Sequence, residues 1–181
     1  MVYNSLILPY LTYCNLIWSN AFESRLNKLV VLQKKAIRII GKAEYLAHAD
    51  LLFKQFWLLQ INDIGQQQIS VFVYKFIRKE LPPNFANFFF PTADIHSHFT
   101  RHSSGFHISY ARTNVRQKSL EIIGPHIWNK FPSDITQSRS LPMLKRKLNA
   151  TCYHFTNCSG LLVYILVISK FLCLMLYYIC T

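Results

Sequence analysis

The stretch NAFESRLNKLVVLQKKAIRIIG, residues 20–41, decides the fold. Apolar residues recur in it at three- and four-residue steps, which is typical of one face of an α-helix: Phe22, Leu26, Leu29, Val30, Ile37 and Ile40. The ends of this helix are also predicted. Asn20 can cap the first turn, with Glu23 at the capping-box position, and Gly41 can adopt the left-handed conformation that stops a helix.

The other face of this helix is predicted to be basic, with side chains from Arg25, Lys28, Lys35, Arg38 and Lys42. One helix then offers an apolar stripe to a core and a positive stripe to an anionic partner. The competing interpretation is an ordinary surface helix whose basic side is only solvated, because runs of charge usually face water.

Composition limits the class of protein. The chain has 181 residues, of which 51% are hydrophobic and 15% aromatic, so it is long and apolar enough for one domain with a core and is not a disordered chain. Lysine and arginine outnumber aspartate and glutamate by 20 to 8. The net charge of +12 favours an extended anionic partner such as nucleic acid, with an anionic membrane as the alternative. The cysteine number is odd and the spacing irregular, which favours a reducing compartment over a disulfide framework.

Helical patterns continue through the first 83 residues. Residues 3–18 are apolar and are interrupted by Pro9, which ends or kinks a helix. Residues 48–59 are typical of a short amphipathic helix, and Asn62 or Asp63 can cap a longer helix. The predicted buried stripe of that longer helix is Ile69, Phe72, Val73 and Phe76. The helix is predicted to end before Pro82 and Pro83. Residues 1–83 are therefore predicted to form a small helical unit.

Residues 84–105 lack any periodicity and are rich in histidine, serine and aromatic residues, so they are predicted to be a loop or linker. The histidines invite a metal hypothesis, with His96, His98, His102 and His107 as ligands. Structural zinc sites need ligand pairs on a tight scaffold and a full set of four ligands, and no cysteine lies nearby. A metal site is therefore not expected here.

Residues 106–155 are predicted to form a small β-hairpin followed by a basic helix. Phe106, Ile108 and Tyr110 alternate with other residues as in a half-buried strand, and residues 120–123 are the predicted partner strand. Gly124 and Pro125 then predict a turn. The final helix of this segment carries Leu141, Leu144 and Leu148 on one side and Lys145, Arg146 and Lys147 on the other.

Residues 160–180 differ in kind from the rest of the chain. From Leu161 to Cys180 only Ser169 and Lys170 are not apolar, and about 20 such residues span a bilayer as a helix. The surrounding aliphatic residues outweigh the one central lysine in the free energy of insertion. The sequence thus predicts a mainly α fold, α+β at most, with a transmembrane-like helix at residues 160–180.

Three stretches occur in a recognisable order: LPYLTYCNLIW (residues 8–18), LQKKAIRII (residues 32–40) and RTNVRQKSLEIIGPHIWNKFP (residues 112–132). Together with LPPNF at residues 81–85 and the final basic helix, they resemble the region downstream of the polymerase core in LINE-type (non-LTR, jockey-like) retrotransposon reverse transcriptases. The resemblance covers roughly residues 2–155. It implies that residues 1–83 are a thumb-like unit that holds template and primer.

The resemblance also implies that the catalytic residues are elsewhere. In that family they lie upstream, in a palm with an [FY]xDD motif, whereas the eight acids of this chain include no adjacent pair and no DxD arrangement. No phosphate-binding loop or nucleophile elbow is present in the sequence, and Cys152, His154 and Cys158 do not have zinc-knuckle spacing. We therefore expect a protein that is not an enzyme and that needs no cofactor, metal or small-molecule substrate.

The predicted function is nonspecific binding of the RNA or DNA backbone by a non-catalytic fragment of a reverse transcriptase. The predicted contact residues form three clusters: Arg25, Lys28, Lys34, Lys35 and Arg38; Arg112, Arg116 and Lys118; and Lys145, Arg146 and Lys147. Core packing is expected for Trp18, Trp57 and Trp128, with base stacking as the alternative.

Two other interpretations of the whole chain stay open. One is a truncated element copy with no selected function. The other is a small tail-anchored membrane protein with a basic helical domain in the cytosol, anchored through residues 161–180. The family resemblance predicts a nuclear or cytoplasmic location, and insertion of the hydrophobic segment predicts a membrane location.

Overall fold

The computed structural model describes residues 2–95 and 105–151, and these ranges are mainly helical, which confirms the predicted fold class. Their α-helices are α1 (Val2–Leu6), α2 (Leu8–Thr12), α3 (Asn15–Trp18), α4 (Glu23–Ile40), α5 (Ala49–Gln55), α6 (Ile61–Ile77), α7 (Thr92–Ile95), α8 (Asn114–Gln117), α9 (Leu120–Trp128), α10 (Ser133–Thr136) and α11 (residues 141–151). A 3-10 helix spans Pro83–Phe85. Within the described ranges no β-strand forms, and an isolated antiparallel bridge joins Pro91 to Phe106.

α4 is the helix that residues 20–41 predict, but it begins later, at Glu23. Its N-cap residue is Phe22, so the prediction that Asn20 caps the helix is wrong. Ile37 is fully buried, and the other members of the apolar stripe are half-buried: Leu26, Leu29, Val30 and Ile40. Phe22 is exposed instead, and its ring lies 4.3 Å from the Lys118 ammonium.

A buried glutamine on α4 joins three parts of the chain. The Gln33 side-chain amide donates to the Tyr3 hydroxyl at 2.7 Å and to the Leu59 carbonyl at 3.0 Å, and its oxygen accepts from the Ile61 backbone N–H at 3.0 Å. The amide therefore ties α4 to α1 and to the start of α6. The sequence pattern did not single out Gln33.

The breaks among the first helices follow the sequence. α1 ends before Ile7, and α2 begins at Leu8 with Pro9 in its first turn, where the missing N–H of proline is tolerated. A second break lies at Cys14, which has a positive φ of 49°. The predicted interruption of residues 3–18 near Pro9 is therefore present.

α6 is the central helix and is buried along most of its length. The predicted stripe is largely confirmed, because Ile69, Phe72 and Val73 are buried and Phe76 is half-buried. Burial extends around the helix to Ile61, Ile64, Gly65, Ser70, Val71 and Tyr74. At its start neither Asn62 nor Asp63 is the cap, because the N-cap residue is Gln60. Burial raises the pKa of the Asp63 carboxyl, and a hydrogen bond with the Gln60 backbone partly offsets this shift.

Within residues 2–95, α4, α5 and α6 each end with a residue other than glycine in the left-handed conformation. These residues follow α4, α5 and α6 and have φ values of 49°, 53° and 56°: Lys42, Trp57 and Lys79. In each case the next backbone N–H bonds back to a carbonyl five residues earlier, as in a Schellman motif: Ala43 to Arg38, Leu58 to Phe53 and Glu80 to Lys75. Gly41 has a φ of −78°, so the predicted left-handed residue is wrong by one position.

The predicted β-hairpin of residues 106–110 and 120–123 is wrong. Leu120–Trp128 is the helix α9, and Gly124 and Pro125 lie inside it rather than in a turn. The Phe106 backbone bonds instead to the Asn129 side chain, donating to its oxygen at 2.9 Å and accepting from its nitrogen at 2.7 Å. This amide takes the place of a partner strand, since it satisfies both backbone groups of Phe106.

Gly124 allows α9 to pack closely against Phe89 and Val73. A Cβ added at Gly124 would lie 2.8 Å from Phe89 Cζ and 3.3 Å from a Val73 methyl. Ile122, Pro125 and Trp128 recur every three residues and are buried, so one face of α9 is turned toward the protein interior. This helical face, rather than strand alternation, explains the apolar residues of this segment.

Among the described residues, two apolar clusters fill the interior. One contains Tyr3, Ile37, Ala49, Phe53 and Leu58, from α1, α4, α5 and the segment before α6. The other combines α6 with the later helices: Phe72, Val73, Tyr74, Phe89, Phe106, Trp128, Ile135, Leu144 and Leu148. Phe89 belongs to the predicted linker at residues 84–105, yet it is buried in edge-to-face contact with Phe72, Phe76 and Phe88.

Several sequence predictions fall outside the described residues. These are the histidines His96, His98 and His102, the residues Cys152, His154 and Cys158, and the hydrophobic segment 160–180. Within residues 2–95 and 105–151, no helix combines the length and the apolar composition that crossing a membrane requires.

The buried Tyr3 hydroxyl predicts a dependence of stability on alkaline pH. Burial raises the pKa of Tyr3 above its ordinary value of 10.0, and the hydrogen bond with Gln33 offsets part of this shift. The stabilisation by Tyr3 is therefore fully present below pH 10.0 and is lost as the pH rises through the folded-state pKa. At pH 8 we expect Tyr3→Phe to lower the free energy of unfolding by about 1 kcal/mol, and this deficit should shrink above about pH 10.

The measurement is urea unfolding of both proteins from pH 8 to pH 11. Tyr10→Phe is the matched control, because Tyr10 is 81% exposed. The difference in free energy of unfolding between Tyr10→Phe and the unsubstituted protein should stay constant with pH. If the deficit of Tyr3→Phe also stays constant, the Tyr3 hydroxyl is not buried as described.

The left-handed Lys79 predicts a stabilising substitution. A β-carbon is strained at this φ, so Lys79→Gly should raise the free energy of unfolding by about 0.5–1 kcal/mol. Lys75→Gly, inside the last turn of α6, should lower it by about 1 kcal/mol. Urea unfolding of the two variants tests whether Lys79 has the left-handed conformation. If both substitutions lower the free energy of unfolding equally, it does not.

Candidate nucleic-acid interface

The outer face of α4 carries the exposed part of the first predicted cluster. Arg25, Lys28 and Lys35 are exposed there, and Lys42 is exposed just beyond the end of the helix. The positions of Lys28 and Lys35 differ by seven residues, which is about two turns, so the two side chains lie in one row. This face presents cations to solvent as the sequence predicts.

The other two members of this cluster make contacts within the protein. Lys34 lies 3.6 Å from the Asp50 carboxylate, which is an exposed ion pair between α4 and α5. The Arg38 Nε donates to the Ala47 carbonyl at 2.7 Å and so holds the connection between α4 and α5. Arg38 therefore has a structural contact that charge patterning alone did not reveal.

One member of the second cluster, Lys118, contacts the segment just before α4. Arg112 and Arg116 are exposed, and the Thr113 hydroxyl caps α8 by accepting from the Arg116 N–H at 3.4 Å. Lys118 is half-buried, donates to the Ala21 carbonyl at 3.1 Å and contacts the Phe22 ring. Lys118 thus fastens the segment that carries the second cluster to the amino end of the helix that carries the first.

The third cluster lies on α11. Leu144 and Leu148 are buried and Lys145 and Arg146 are exposed, as the leucine stripe predicts. Lys147 donates to both the Asp134 carboxylate and the Asp134 carbonyl at 2.6 Å. A hydrogen bond between Gln67 and Asn149 connects α11 to α6. The contacts that place this cluster therefore involve α6 and α10, whereas those of the first two involve α4.

The outer face of α4 also contains apolar residues that the sequence interpretation missed. Val31, Leu32 and Ile39 are 51%, 58% and 78% exposed. At about 100° per residue they fall among the basic positions rather than on the buried stripe, so a helical projection of the whole stretch contains this signal. The face is accordingly mixed basic and apolar.

The three tryptophans have different environments. Trp128 is buried in the core, as predicted, and Trp18 is half-buried with its indole N–H donating to the Tyr13 carbonyl at 2.8 Å. Trp57 is 76% exposed, so the expectation of core packing is wrong for this residue. The left-handed backbone after α5 places it at the surface.

The described residues offer no clear site for metal or acid–base chemistry. In residues 2–95 and 105–151, no three histidine, cysteine, aspartate or glutamate side chains come close enough together to hold a metal ion. A groove of about 640 Å³ lies beside the carboxyl end of α6, and its lining is apolar and proline-rich apart from Lys79. This composition suits burial of apolar groups rather than acid–base chemistry.

Comparisons with models of protein families, with curated proteins and with solved structures found no match to this chain. The resemblance to LINE-type reverse transcriptases therefore stays a prediction from sequence motifs.

The contacts of Arg38 predict that two neighbouring cations of α4 respond differently to substitution. Arg38→Gln removes the hydrogen bond to the Ala47 carbonyl and should lower the free energy of unfolding by about 1–2 kcal/mol. Lys35→Gln removes an exposed charge and should change it by less than about 0.5 kcal/mol. Urea unfolding measures both.

Amide hydrogen exchange of residues 43–47 provides a local readout. It should become faster in Arg38→Gln and stay unchanged in Lys35→Gln. Equal exchange in the two variants would mean that Arg38 does not hold this connection.

Proposed function

We propose that this chain binds the RNA or DNA backbone without sequence preference, as a non-catalytic part of a LINE-type reverse transcriptase. The observation that carries the proposal is the row of exposed cations on α4, with a second basic segment fastened to its amino end by Lys118. The net charge of +12 and the three sequence motifs support the same function.

The contacts proposed are electrostatic. Arg25, Lys28 and Lys35 on α4 are exposed, as are Arg112 and Arg116 in the segment before Lys118, and each can approach a phosphate. Phosphate contacts position a strand without reading its bases, because every nucleotide presents the same charge. The bound strand would then follow the outer face of α4.

The proposal does not include catalysis. The sequence resembles a region that follows the polymerase core, and the acids of this chain are scattered along it. The chain is proposed to act without a cofactor or small-molecule substrate, and any polymerisation would belong to a palm encoded elsewhere.

Salt dependence is the direct test. The full chain is titrated with single-stranded RNA at several salt concentrations, and log K is plotted against log salt. Replacing Arg25, Lys28 and Lys35 together by Gln should lower the magnitude of the slope by about two to three units, at about 0.7–0.9 for each phosphate that is no longer neutralised. Arg38 is left in place, since it also bonds to Ala47.

The matched control removes three exposed charges outside the clusters, by Lys79→Gln, Lys130→Gln and Arg139→Gln. Its slope should change by less than about one unit. If the slope of log K against log salt is equal for the two triple variants, the basic side of α4 is only solvated and does not contact phosphates. If binding does not depend on salt, the chain does not recognise the nucleic-acid backbone.

A further inference from the structure

The mixed basic and apolar face of α4 suits a second kind of surface. We propose that this face, together with the connection that follows it, docks on the surface of an anionic lipid bilayer. The proposed site consists of Val31, Leu32, Ile39, Tyr45 and Leu46, with the cations Lys28, Lys35 and Lys42 among them. It goes beyond nucleic-acid binding, because the apolar residues have no part in that function.

The apolar residues of α4 lie among its cations. Ile39 is 78% exposed, and Lys35 and Lys42 lie one turn before and about one turn after it. Leu32 has the same relation to Lys28 and Lys35. Large aliphatic side chains in water are unfavourable when they form a continuous patch, and such patches mark interaction sites.

The connection from α4 to α5 also exposes apolar side chains, shortly after the end of the helix. Tyr45 is 73% and Leu46 is 80% exposed. The backbone around them is held in place, because Ala47 bonds to Glu44 through its N–H at 3.0 Å and to the Arg38 guanidinium through its carbonyl at 2.7 Å. The two apolar side chains are therefore presented by an ordered turn at the carboxyl end of α4.

The apolar residues of this face are accounted for by a lipid bilayer and not by the nucleic-acid binding proposed above. Phosphates of a nucleic acid satisfy the lysines but leave Leu32 and Ile39 in water. An anionic bilayer satisfies both, since aliphatic side chains enter the acyl boundary, tyrosine lies at the headgroup level and lysine stems extend toward the lipid phosphates.

The test follows one position in the full chain. Leu46→Cys is labelled with a maleimide, and the modified peptide is quantified by mass spectrometry, which separates it from the native cysteines. Vesicles with about 30% phosphatidylserine should slow labelling at position 46 by about fivefold or more, and vesicles of phosphatidylcholine alone should slow it much less. Gln137→Cys, which lies at the end of α10, should be labelled equally in both.

Apolar substitutions then assign the effect to this face. In the Leu46→Cys chain, Leu32→Gln with Ile39→Gln should abolish most of the protection while leaving the salt dependence of RNA binding unchanged. The matched pair Ile77→Gln and Met143→Gln removes exposed apolar residues of α6 and α11, and the protection should persist. Circular dichroism confirms that each variant is folded.

Each alternative result overturns the proposal. Equal protection by neutral and anionic vesicles would show that charge is not recognised, and no protection by either would show that this face does not meet lipid. Protection without vesicles would mean that a second copy or other residues of this chain cover the face. Protection by an acidic amphipathic peptide and not by vesicles would assign the face to a protein partner. Because the RNA measurement is separate, loss of lipid protection does not decide the proposed nucleic-acid function.

Discussion

The Gln33 amide is the interaction on which the packing of the first helices depends. A buried amide without partners is strongly destabilising, so α4 can lie only where Tyr3, Leu59 and Ile61 supply them. Apolar contacts alone tolerate small rotations and shifts of a helix, whereas three directional bonds do not. The rotation that Gln33 imposes turns Ile37 into the core and leaves Lys28 and Lys35 outside, and the candidate interface follows from it.

The sequence predicted the long helices because their apolar residues recur with helical spacing over several turns. α4, α6 and α11 were predicted in this way. The buried residues of α6 and α11 largely match the predicted stripes, whereas α4 buries Ile37 of its predicted stripe together with the unpredicted Gln33. The hairpin failed because two short segments with alternating residues carry little information. What decided the structure there was the Asn129 side chain, which satisfies the Phe106 backbone from a distant position in the chain. A pattern confined to neighbouring residues does not contain such a contact.

The candidate site was predictable to a similar degree. Helical spacing predicted that Arg25, Lys28 and Lys35 of α4 and Lys145 and Arg146 of α11 are exposed, whereas Arg112, Arg116 and Lys118 were assigned to no helix. The structural contacts of the cations were not predicted, because the bonds of Arg38 to Ala47 and of Lys118 to Ala21 depend on how separate elements meet. The exposed Leu32 and Ile39 could have been found, because their angular positions on α4 follow directly from the sequence.

The helix ends at Lys42, Trp57 and Lys79 have a consequence for how the chain folds. A glycine at such a position favours the end of a helix through its own backbone conformation, without any tertiary contact. Lysine and tryptophan are strained in this conformation, so they favour a helix end less than glycine does, and the local Schellman hydrogen bonds must offset that strain. We expect the ends of these helices to fray early in folding and to become fixed as the core condenses around them. We therefore expect the final lengths of these three helices to be set while the core forms, and not before.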